Sequence, residues 1–167
     1  LLSVLLAAGL STAAFANPYE MTLKNGMRVI VKEDRRAPTA VQMVWYRIGS
    51  TDEVDGASGV AHVLEHMMFK GTPNVGPGEF NKRVAAAGGR DNAFTARDYT
   101  AYFQTLHRDQ LALALELEAD RMRHLTLSKE EFEKEIQVVM EERRWRTDDR
   151  PGALLYEGLM ATALQAH

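Results

Sequence analysis

The run Gly59-Val60-Ala61-His62-Val63-Leu64-Glu65-His66-Met67-Met68-Phe69 carries more information about this chain than any other. No Gly or Pro interrupts VAHVLEHMMFK, which predicts a helix over 58–70. Each helical residue turns by about 100°. With His62 at zero, His66 lies about 40° to one side and Glu65 about 60° to the other. The three ionisable groups therefore share one stripe, and Val60, Ala61, Val63, Leu64, Met67 and Met68 fill the rest. A helix so apolar is expected to be buried. Its polar stripe is then costly unless the groups are paired or hold a metal ion.

Two imidazoles one helical turn apart can grip a single ion, and zinc accepts such ligands. Glu65 lies beside them in space, placed to take a proton from an activated water. A catalytic zinc site has three protein ligands and one open position, so a third donor must come from elsewhere. The chain has no cysteine, which excludes disulfides, thiolate metal sites and a cysteine nucleophile. His107 and His124 sit at element edges among charged residues and read as surface groups. The long helix expected from Ser128 to about Thr147 offers a better donor. Ser128 with Glu131 forms a capping-box pattern. The apolar face of this helix is set by Phe132, Ile136, Val139 and Met140. With Phe132 at zero, Glu135 falls at about 300° and Glu142 at about 280°, inside or beside that face, while Glu141 points away at about 180°. Inward carboxylates need partners. Glu142 as a metal ligand and Glu135 as a residue orienting another ligand would satisfy both. Two solvated glutamates in a Glu-rich segment is the plainer alternative.

Outward from these helices, residues 19–33 read as a hairpin around Asn25-Gly26. Residues 40–48 form an apolar strand, and 49–59 a polar loop. Gly71 to Gly78 is a Gly/Pro-rich loop, and 79–87 a short helix. Residues 91–96 and 99–106 are two strands joined tightly, and 109–123 a helix whose period is marked by Leu111, Ala114, Leu115, Ala119 and Met122. Pro151 punctuates the chain before a last apolar helix. Paired strands among interspersed helices predict an α+β fold with a largely antiparallel sheet packed against helices.

Composition agrees with a globular domain: 167 residues, 46% hydrophobic and 26% charged, with a net charge of -3. No basic excess points to nucleic acid. Residues 1–16 are uncharged and end in Ala14-Phe15-Ala16, which reads as a signal peptide cleaved before Asn17. Sixteen residues fall short of the roughly 20 a membrane span needs, so no stable span is expected. The start lacks Met and a charged leader, and the end falls within an apolar helical run. Both features read as a fragment.

GVAHVLEHMMFKGT, then Asn92-Ala93-Phe94-Thr95, then the pair Glu135 and Glu142 resembles the pitrilysin/insulinase/mitochondrial-processing-peptidase family of HxxEH zinc peptidases, the inverzincins. The resemblance covers about residues 19–165. It implies zinc on His62, His66 and Glu142, the last standing as far beyond His66 as the family spacing requires. It also implies that Glu65 is the catalytic base and that Glu135, two helical turns before the ligand, belongs to the catalytic set. Family members build a clam shell from two related halves with zinc in the first. The implied domain is residues 17–167, a truncated N-terminal half. The C-terminal half, or a partner subunit, would complete the chamber, so the fragment alone is expected to be inactive. Asn92, Ala93 and Phe94 match the edge strand along which peptide substrates extend. With the leader, the chain is most similar to small bacterial members exported to the periplasm, or secreted.

The expected activity is zinc-dependent endopeptidase action on peptides or unfolded polypeptides. A catalytically silent scaffold subunit is the main alternative, and the intact HxxEH residues weigh against it. A lyase sharing HxxEH requires a cysteine this chain lacks, and a closed structural zinc module has no use for Glu65.

Overall fold

The computed structural model describes residues 18–164. The expected signal peptide lies outside them. The chain divides into two units, one ending at Pro38 and one beginning at Thr39.

The first unit is a hairpin of β1 (Tyr19–Thr22) and β2 (Arg28–Val31), paired antiparallel with Tyr19 opposite Val31. Its turn is the one Asn25-Gly26 predicts. Gly26 sits at φ +86°, a conformation glycine adopts without a Cβ penalty, and its N–H donates to the Leu23 carbonyl at 2.9 Å. The Asn25 side-chain oxygen accepts the Met27 N–H at 3.1 Å.

The second unit is built on a three-stranded antiparallel sheet of β3 (Thr39–Tyr46), β4 (Arg90–Thr95) and β5 (Thr100–His107), in the order β3-β5-β4. Register places Gln42 opposite Gln104, and Ala93 opposite Tyr102. Opposed residues share a face, so Thr100, Tyr102, Gln104 and Leu106 turn together toward the helices, and all four are buried. On the other face Val41, Trp45 and Phe94 are exposed, with the Trp45 ring 4.9 Å from Tyr99 and 6.0 Å from Phe94. The fold is the expected mixture of helices and antiparallel sheet.

The helices are α1 (Val60–Met67), α2 (Glu79–Ala86), α3 (Leu111–His124), α4 (Lys129–Arg143) and α5 (Pro151–Ala163). Phe80 and Val84 of α2 join Val75 and Leu117 in an apolar cluster, with Leu113 packed against it. Three expectations need correction. Helix α1 is not buried all round, since only Ala61, Met67 and the adjacent Met68 are covered while Val60 and Leu64 are exposed. Helix α3 does not bury its Leu115 and Met122; it buries Ala114, Leu117, Glu118 and Arg121, one helical stripe. Arg121 is captured there by Glu118, through a 2.5 Å hydrogen bond, and by the rings of Phe80 and Tyr102, 4.4 Å and 4.5 Å from its Cζ. Charge alone does not exclude burial once such partners exist. Helix α4 leaves Phe132 44% and Met140 50% exposed, while Ile136 and Val139 are half-buried beside Glu135 and Glu142, so its inward side takes in the carboxylates and only half of the expected apolar face.

Ser128 caps α4, its Oγ accepting the Glu131 N–H at 3.1 Å. After Arg143 the backbone widens into a π-helical turn, Arg144–Asp148, before Pro151 opens α5. No described helix is long and apolar enough to cross a membrane.

Candidate metal centre

Helix α1 enters the centre with its first turn held from outside. The Glu53 carboxylate accepts the N–H groups of Gly59 and Ala61, both at 2.8 Å. These are among the donors that a helix start leaves without internal partners, and the negative charge suits that end. Gly49 lies against the β4–β5 connection so closely that a Cβ there would come within 2.4 Å of the Ala96 carbonyl oxygen. This contact fixes the loop that delivers Glu53.

Along α1, His62 and His66 present rings 4.8 Å apart between centroids and nearly perpendicular. Helix α4 crosses them and brings Glu142. Its Oε2 lies 3.4 Å from His62 Nε2 and 3.3 Å from His66 Nε2. The three ligand atoms all fall within 4.8 Å of one another. Glu142 Oε2 is buried and has no hydrogen-bond partner.

The partners around these groups decide their chemistry. His66 Nδ1 stands 2.8 Å from Glu135 Oε1. Glu135 is itself buried and pairs through Oε2 with Lys70. Burial pushes the Glu135 carboxyl up, but the hydrogen bonds from Lys70 and His66 outweigh it and hold the group below the usual carboxylate range. A carboxylate at Nδ1 makes that nitrogen the proton-bearing one and leaves Nε2 as a lone-pair acceptor. In that neutral tautomer an acceptor nitrogen faces an acceptor oxygen at 3.3 Å, an arrangement that a shared cation relieves. Ligands of a tetrahedral zinc at about 2.0–2.1 Å are themselves about 3.3 Å apart. The donor set, two imidazoles and a carboxylate, suits that ion, so the residues fit it.

Glu142 is steadied on its other side, where Oε1 forms an ion pair with Arg146 Nη2 at 2.6 Å, one helical turn on and within the π-helical segment. Glu65 faces β4, and its Oε2 accepts from the Thr95 hydroxyl at 2.5 Å. Asn92, Ala93 and Phe94 lie on β4, which among the described strands pairs only with β5 and so presents a free edge. The Asn92 side-chain oxygen accepts the Ala93 N–H at 2.9 Å, covering one edge donor.

The structure thus brings His62, His66 and Glu142 together, sets Glu135 against His66, and turns Glu65 toward Thr95 at the end of the strand that carries 92–94. His107 and His124 stay out at the surface, paired with Asp109 and Asp120. Sequence reading gave no role to Arg146, nor to Lys70 and Thr95, which fall within the stretches that carry the resemblance. Lys70 follows His66 by one helical turn, and Arg146 follows Glu142 by the same step, a spacing that flags them in retrospect. Thr95 had no such local signal. An apolar cavity of about 310 Å³ lies on the far side of α1, lined by Tyr46, Val54, Leu64 and Met68 among others. Its two acidic residues are already engaged, Asp52 on the Gly49 N–H and Glu53 at the start of α1, so it adds no ligand.

Comparison with known proteins agrees with this architecture. The chain is 42% identical over 168 residues to the zinc protease PqqE of Helicobacter pylori, across 99% of this chain and 38% of that protein. The crystal structure of a protease from Helicobacter pylori superposes with a TM-score of 0.80 at 45% identity, over 84% of this chain and 34% of that one. The first half of the periplasmic protease PqqL from Escherichia coli gives a TM-score of 0.71 at 27% identity, over 77% of this chain and 29% of that one. The chain therefore spans about a third of the length of these relatives. The model of the insulinase family, peptidase family M16, matches residues 28–167. On that match, and on a relative covering nearly its whole length, the chain belongs to the insulinase (M16) family of peptidases.

Proposed function

We propose that the complete protein is a zinc-dependent endopeptidase acting on peptides or unfolded polypeptides, and that this chain carries its metal centre. The observation that carries the reading is the buried, unpartnered Glu142 Oε2, set 3.4 Å and 3.3 Å from two imidazole nitrogens. His62, His66 and Glu142 would hold zinc, the metal named in the PqqE relative. Zinc, when bound, supplies Lewis acidity that acidifies water and polarises a carbonyl.

The remaining work falls to the chain. Glu65 takes the proton from the attacking water and returns it to the leaving amine. Glu135, backed by Lys70, holds His66 in the tautomer that offers Nε2. The free edge of β4 at Asn92, Ala93 and Phe94 pairs with the substrate backbone, whose carbonyl replaces the Asn92 oxygen on the Ala93 N–H. A second half, in the same protein or a partner subunit, completes the chamber. The Ala14-Phe15-Ala16 run and the likeness to a periplasmic protease support export to the periplasm.

The test is Glu65→Gln in the full-length protein, assayed for peptide cleavage and metal content. Turnover falls by roughly 10²–10⁴-fold, the usual contribution of a general base, while one zinc per chain remains. Undiminished turnover contradicts the assignment.

A further inference from the structure

We infer that Thr95 is the positioning residue of Glu65, an inference that rests on the reading of Glu65 as the base. Glu65 projects from α1 on a side chain with three rotatable bonds. Among the described residues its carboxylate has one hydrogen-bond donor, the Thr95 hydroxyl, at 2.5 Å from Oε2. Thr95 is well suited to hold it. It ends β4, and its register partner Thr100 is buried on the helix-facing side of the sheet. Its branched Cβ restricts χ1, so the hydroxyl direction is set by the strand. The neighbouring Thr100 hydroxyl has one proton and gives it to the Ile48 carbonyl at 2.9 Å. That bond leaves the Thr95 proton for Glu65.

A bond to Oε2 has a definite consequence. It anchors one carboxylate oxygen to the strand and leaves Oε1 as the oxygen that accepts the proton. Since β4 carries the free edge at 92–94 and Thr95 closes the same strand, a peptide added to that edge acts on the base through a single residue.

A merely structural tie between α1 and β4 would change stability but not turnover by folded enzyme. The experiment therefore measures kcat, KM, zinc content and unfolding midpoint in the full-length protein for Thr95→Val, Thr95→Ser and Glu65→Gln, with Thr95→Ala as the second hydroxyl-free variant should valine prevent folding. The hydroxyl-free variant is expected to lose about 10- to 100-fold in kcat, as a charge-assisted hydrogen bond or a small misplacement of a base would give. KM stays within about two-fold and zinc at one per chain, and Thr95→Ser recovers most of the rate. Wild-type kcat in the hydroxyl-free variant, no recovery with serine, or loss of zinc overturns the proposal. Turnover retained in Glu65→Gln instead removes the base itself. An inactive Glu65→Gln beside a fully active hydroxyl-free variant removes only the role of Thr95.

Discussion

Glu118 and Arg121 on α3 are each 2% exposed, as deeply buried as the core residues Val84 and Leu117. Their charges close on each other. Arg121 binds both Glu118 oxygens, Gln104 adds a third bond at 3.1 Å, and the Phe69, Phe80 and Tyr102 rings cover the cation. Arg121 Nη1 and Gln104 Oε1 lack hydrogen bonds, but the cation there has both its counter-ion and its rings. At the α1–α4 crossing the sum is different. Two imidazole nitrogens and a carboxylate oxygen point at one another, and the donors present are all spent elsewhere: Lys70 on Glu135, Arg146 on the outer oxygen of Glu142, Thr95 on Glu65. A buried cluster whose opposite charges close on each other serves the fold. One that leaves acceptors converging serves a ligand, here a cation.

The comparison breaks most readily at α3. Glu118→Ala leaves Arg121 buried without its counter-ion and is expected to cost about 3–5 kcal/mol in denaturant unfolding, while the zinc affinity of the folded protein stays unchanged. A shared fall in both would show that the two clusters are one unit. At the metal centre the effects reverse. Glu142→Gln weakens zinc binding by roughly 10³-fold, one ligand's share of the roughly 10–16 kcal/mol typical of such sites, as read by competition with a chelator. The metal-free variant is at least as stable as metal-free wild type, because an acceptor facing acceptors has been removed. Glu135→Gln, which loosens a ligand's support, weakens zinc binding by about 10- to 100-fold. The smallest effect concerns Asp120, which lies in neither cluster. The Thr72 hydroxyl, the Asn74 amide and His124 hold its carboxyl below the usual value of 3.8. A depressed folded-state value gives stability that is full above the unfolded value and lost as pH falls through the folded one. Asp120→Asn should flatten the acid limb of the stability–pH curve below about pH 4, with little change at neutrality.

The parts of this centre that a helix period fixes were legible in the sequence. His62, Glu65 and His66 share a stripe because about 3.6 residues make a turn, and Glu135 and Glu142 share one because seven residues make nearly two turns. The pairing of β4 with β5 was legible from two adjacent strands with a short connection. That α4 would lie across α1 came from the inward carboxylates of its helix together with a family resemblance, since no local rule brings residues 66 and 142 together. The inward side of α4 was read correctly for Glu135 and Glu142 and only in part for its apolar residues. Phe132 and Met140 looked like part of its core face, yet both stay exposed, while Ile136 and Val139 are half-buried beside the carboxylates. Glu118, Arg121 and Arg146 carry no mark in the sequence, and Thr95 none beyond its strand, because only the packed structure supplies the rings, the base and the ligand that give them partners.

The most direct test is X-ray absorption at the zinc edge on the full-length protein loaded with one equivalent of zinc, in wild type and Glu142→Gln. The account predicts two imidazole nitrogens and a carboxylate oxygen at about 2.0–2.2 Å, with the imidazole signal kept and the oxygen shell altered in the variant. A wild-type shell with fewer than two imidazoles, or a shell that Glu142→Gln leaves unchanged, would contradict it.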